Sequence, residues 1–269
     1  MDVSLDLLLL KVSIAPVFIA IISLIARRYG HRAAGWLVAL PINTGSILVI
    51  LAFTEGTAFA ATAAAGALLG IISLCAFAFG YARSALRYRW PVCLGIATAG
   101  FVVCTLLLSK VPELVPVDLA GVALALVLVV AILPKSDEAA AAPPIPRWEI
   151  PMRMLTAALL VLTITTGAGS LGPQLSGLLS PIPVFTITLV IFTHSRQGPA
   201  PVFVFLKGLQ YGLFSFAAFC ATVAVLLAPY GLAISMAAGL AAFVGVYVVV
   251  RVVLDAVRLV PTKNPGQSG

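Results

Sequence analysis

The stretches "GWLVALP" (35–41) and "GLLSPIP" (177–183) each set a glycine six positions before a proline inside an apolar run. In both a threonine follows the last proline by three positions, Thr44 after Pro41 and Thr186 after Pro183. Proline lacks an amide hydrogen and its ring clashes with the preceding turn, so in a helix interior it costs about 3 kcal/mol. Two helices interrupted at matched places therefore decide how the rest of the chain is read.

The surroundings are those of a membrane protein. Of 269 residues, 62% are hydrophobic and only 9% charged, too few polar groups to cover a water-soluble surface. Mean hydropathy is +1.16. Nine apolar runs are expected to span, at roughly 5–26, 34–54, 58–82, 91–109, 115–133, 151–171, 175–195, 200–226 and 230–257. Each is near the ~20 residues that cross about 30 Å of hydrocarbon as a helix. The two-residue alternation of a membrane β-barrel is absent, so the expected fold class is an all-α polytopic bundle. The first run is too long for a cleaved signal and lacks both a basic leader and a small-residue cleavage site, so it is expected to be retained.

The net charge of +7 is distributed for orientation rather than for a nucleic-acid partner. Arg27, Arg28 and Arg32, then Arg83, Arg87 and Arg89, then Lys135, Arg147 and Arg153, then Arg196, then Arg251, Arg258 and Lys263 all fall in alternate connections. Lys110, Glu113, Asp118, Asp2, Asp6 and Glu55 fall in the others. By the positive-inside bias the amino terminus lies outside and the carboxyl terminus in the cytoplasm, which needs an odd number of spans. Cys75, Cys93, Cys104 and Cys220 all lie within runs without CxxC spacing and read as small packing residues.

Sliding residues 29–82 onto 171–224 at an offset of 142 places Gly172, Gly177, Gly198, Gly208 and Gly212 on Gly30, Gly35, Gly56, Gly66 and Gly70. Chance would give this about once in 10⁵ placements, so the chain carries an internal repeat. Pro41 meets Pro183, Thr44 meets Thr186, Ser73 meets Ser215, Phe77 meets Phe219 and Lys11 meets Arg153. The expected organisation is a first four-helix repeat (1–110), a connecting helix and linker (111–149) and a second repeat with a short tail (150–269). One unmatched crossing between two even-numbered units inverts the second, an architecture in which a transporter's substrate site lies at the midplane between repeats.

The prolines then mark a site. Broken helices expose backbone groups, which lipid tolerates only against protein or a wet cavity. Pro41, Asn43, Thr44 and Ser46 in the second run, and Pro181, Pro183, Thr186 and Thr188 in the seventh, bring hydroxyl and amide groups to that depth. Lys11 and Arg153, at matched positions, and Lys207, whose counterpart is Ala65, are candidate ligands for an anion. His194, near the end of the seventh run, is the candidate proton-coupling group. The GxxxG pairs 66–70 and 208–212 read as close helix packing. No paired carboxylates, HExxH or phosphate loop points to an enzyme, and nothing calls for a cofactor or metal.

The spacing Lys11, Gly35, Pro41, repeated as Arg153, Gly177, Pro183 with "GLLSPIPVF", resembles the GlpM-like family of small bacterial membrane proteins. Members are one four-helix unit each, so the resemblance implies two fused units and the bacterial inner membrane. A histidine that follows the family's prolines has no aligned equivalent, since His194 stands four residues further on. The expected function is a secondary carrier of a small anionic organic solute, working by alternating access between the second and seventh spans. The alternatives are a lipid flippase, with Lys11 and Arg153 engaging headgroups on opposite faces, and a non-transporting scaffold. Membrane lipid is the surrounding partner, and a homodimer is compatible with it.

Overall fold

The computed structural model describes residues 3–112, 114–134, 148–156, 159 and 184–259, and among these every regular element is a helix. They are α1 (Val3–Val38), α2 (Ile42–Thr54), α3 (Thr57–Ser84), α4 (Trp90–Leu108), α5 (Val115–Ile132), a short helical stretch over 149–156, α6 (Val184–Gln197) and α7 (Pro199–Leu259). Four of the described helices, α3, α4, α5 and α7, are long and apolar enough to cross a membrane. Their outward residues are what a lipid solvent wants. Val103, Leu106 and Leu107 on α4, Leu124, Val127 and Leu128 on α5, and Val248, Val249 and Val252 on α7 all stand exposed. An apolar belt of that extent has no place in water.

α7 is two helices. Gly231 holds φ 76° and ψ 176°, a region that only glycine enters cheaply. A methyl group placed on Gly239 would press on Val223 and Phe219. In a straight helix those positions lie about 24–30 Å apart, so the chain turns back at Gly231 and packs as a hairpin. The arm over 199–230 and the arm over 232–259 match the eighth and ninth apolar runs.

One expectation about boundaries is corrected. The basic connection carrying Arg27, Arg28 and Arg32 is helical, broken only at Gly30 (φ 87°, ψ 167°). Arginine is a good helix former, so charge alone does not end a helix. The second run, by contrast, is interrupted where its proline stands: helix ends at Val38 and resumes at Ile42. Gly177, Pro181 and Pro183, with most of the sixth run and the linker, lie outside the described residues.

α3 packs on α4 and α7, α1 packs on α7 to a similar extent, and the centre is formed by α3 and the 199–230 arm. Both are buried nearly throughout. The 31–38 segment of α1 crosses that arm at backbone contact: a methyl group on Gly35 would collide with the Phe205 carbonyl oxygen, and one on Gly208 with that of Arg32. Gly212 faces Ala39 and Trp36. The 208–212 glycine pair thus serves close helix approach, between the two halves of the chain.

Candidate functional site

The site is built around the break at 39–41. The preceding helix closes with tight bonds, the Ala39 amide donating to Trp36 O (3.3 Å) and the Leu40 amide to Leu37 O (3.1 Å). α2 then restarts with Pro41 at its N-cap and no side-chain cap. The start of a helix carries the positive end of the helix dipole, and that of α2 lies at the break. Pro41 and Thr44 are buried there. Ser46 is exposed and bonds its own helix, its hydroxyl donating to Ile42 O at 2.6 Å. Asn43 occupies the first turn of α2.

The 199–230 arm passes level with the break. Gly212 touches Trp36 and Ala39, so Gln210 and Ser215 lie within about a turn of that depth. Both are fully buried. The Gln210 side-chain carbonyl accepts from the Cys75 thiol on α3 at 3.3 Å, while its Nε2 and the Ser215 hydroxyl have no partner among the described residues. A buried polar atom left unpaired costs about 1–3 kcal/mol, and such atoms point to a ligand or water as the missing partner.

α6 brings the second threonine to the same level. Tyr81 near the end of α3 meets the end of α6, with its hydroxyl 3.1 Å from His194 Nδ1 and 3.3 Å from Val190 O. Counting back at 1.5 Å per residue, Thr186 lies about 12 Å above His194 and Cys75 about 9 Å above Tyr81. Thr186 is buried and its hydroxyl has no partner among the described residues. Thr188 is buried too but bonds Val184 O at 2.9 Å. α2 packs mainly on α3, with a lighter contact on α7 where Gly45 faces Phe219, and α6 packs on α7, α4 and α1.

Other sequence candidates are placed elsewhere. Lys207 is half-buried on the same arm, one turn before Gln210. Lys11 lies on α1 within 3–16, where the backbone alone is described. His194 is a Tyr81 partner at the end of α6, two turns from Thr186. Arg153 is buried and paired within the protein. The residue is 1% exposed, and its guanidinium donates to Glu149 at 2.6 Å through Nη2 and to Ser23 at 3.3 Å through Nη1. Glu149 precedes the sixth apolar run by two residues and was passed over as linker. Its i,i+4 spacing to Arg153 was the signal that could have found it. Gln210 was missed as well, because a single polar residue in a GxxxG helix reads as packing; its lack of a counterpart at Leu68 was the available clue.

No family model matches the chain, nor does any curated protein sequence or solved structure.

Proposed function

We propose that the chain is a secondary carrier of a small anionic organic solute, with two oppositely oriented four-helix units, nine spans in all, and a midplane site at the break in the second span. The observation that carries this reading is the uncapped start of α2 at Pro41, level with the unpaired buried polar atoms of Thr186, Gln210 and Ser215. Amide hydrogens at a helix start favour an anion, and discontinuous helices at the midplane are how carriers of this kind hold one.

The duplication is supported by matched junctions. Gly56, between α2 and α3, and Gly198, between α6 and α7, are equivalent at the 142-residue offset, and both have positive φ, 97° and 80°. At the same offset the first residue of α3, Thr57, falls on the first residue of α7, Pro199. On this reading the chain lies in the bacterial inner membrane with its amino terminus outside, and it is two fused units of the GlpM-like kind. Membrane lipid faces α4, α5 and the 232–259 arm.

The test is counterflow of labelled organic anions in proteoliposomes, with Thr44→Val and Thr186→Val alongside the wild type. Uptake of one anion that falls at least about tenfold in both variants supports the site. Uptake unchanged in both, from folded protein, removes it.

A further inference from the structure

A second group of charges lies at the end of the bundle where α3 and α6 finish. Glu149 and Arg153 form an ion pair at 2.6 Å, each side chain 2% exposed. Arg196 reaches the other carboxylate oxygen from α6, Nε to Oε2 at 3.7 Å, and is 41% exposed. Its guanidinium lies over the Trp148 ring at 5.0 Å, and that of Arg153 over Phe192 at 5.4 Å. Among the described residues two guanidinium groups face one carboxylate, one positive charge more than the carboxylate balances. Arg153 Nε is buried with no partner among the described residues, so the seat's donors exceed what Glu149 and Ser23 take up.

Arginine forks match carboxylate geometry, and Glu149 shows the fit. Glu149 also stands at the first residue of its helical stretch, after the turn at Trp148, where a side chain can leave its seat with little backbone change. The geometry points to a latch: Glu149 is an internal stand-in for a carboxylate ligand, which enters past Arg196 and Trp148, displaces Glu149 to water and pairs with Arg153 and Arg196. No bond is made or broken in this step; one carboxylate is exchanged for another. The inference rests on the carrier reading for its place in transport, as the seat at which a substrate carboxylate first loads from this end.

The test uses the full chain in lipid nanodiscs, titrated with acetate, succinate and inorganic phosphate and followed by calorimetry and tryptophan emission. Glu149→Gln removes the competitor and is expected to bind a carboxylate at least about tenfold tighter than wild type. Adding Arg153→Gln to that variant is expected to abolish the gain. Should Glu149→Gln fail to fold, Glu149→Asp shortens the latch and is expected to tighten carboxylate binding severalfold. Equal or weaker carboxylate affinity in the folded variant overturns the latch, as does tightening for phosphate alone. Tight carboxylate binding by Glu149→Gln with no counterflow of any anion by wild type keeps the latch and sinks the carrier. Counterflow by wild type with unchanged affinity in Glu149→Gln does the reverse.

Discussion

On the proposed duplication, α3 and the 199–230 arm of α7 are equivalent helices. Gly66 and Gly70 correspond to Gly208 and Gly212, Ser73 to Ser215 and Phe77 to Phe219. What differs is polarity. Where α3 has Ala65 and Leu68, the arm has Lys207 and Gln210. In α3 the buried Ser73 hydroxyl accepts from Thr105 of α4 at 2.9 Å, whereas that of Ser215 is unpaired among the described residues. The aligned glycines carry the packing, while the unpaired donors of the arm are Gln210, where α3 has Leu68, and Ser215, whose counterpart Ser73 is bonded. Polar residues in a membrane helix are costly, which is why the proposed site is placed on the arm and not on α3.

The comparison can be broken most severely at its packing. Gly208→Leu drives a side chain into the Arg32 carbonyl, and a loss of about 3 kcal/mol is expected. On a size-exclusion column the detergent-solubilised protein should lose its monodisperse peak; a normal peak would mean that the 31–38 segment does not cross there.

The matched junctions should respond alike. Gly56→Ala and Gly198→Ala each place a β-carbon where φ is positive, at about 2 kcal/mol apiece. Thermal unfolding should show two similar decreases, and a change at one junction alone would argue against equivalent turns.

Gln210→Leu makes the arm resemble α3 at the position of Leu68. Transport should fall at least tenfold, about 1.4 kcal/mol in activation free energy, while the melting temperature holds or rises. Retained counterflow would show that the polar difference has no part in the site.

The mildest test compares the two serines. Ser73→Ala removes the acceptor of Thr105 and should destabilise by about 0.6 kcal/mol, typical of an interhelical hydrogen bond in a membrane. Ser215→Ala removes an unpaired group and should leave stability unchanged without ligand. Equal effects would mean that Ser215 has a partner in the resting protein.

Much of this was legible beforehand. The break at Pro41 was readable because proline's effect is confined to its own turn, and the hairpin in α7 because two apolar runs meet at Gly231. The helical course of 27–29 was not, since basic residues mark a membrane boundary without ending a helix. Of the proposed site, Thr44 and Thr186 come from the motif. Gln210, Glu149 and Arg196 were not, because their significance lies in what they face.

The sequence by itself determined a helical membrane protein, the apolar runs and the interruption in the second run. Those are local properties: bilayer thickness sets run length, and backbone chemistry sets the break. Only the tertiary structure decided that Arg153 belongs to Glu149 and to Ser23, 130 positions away, and that Gln210 meets Cys75 across 135. Such pairings depend on which helix faces pack together, and that follows from small-residue contacts such as Gly35 on Gly208, which no single run of sequence encodes.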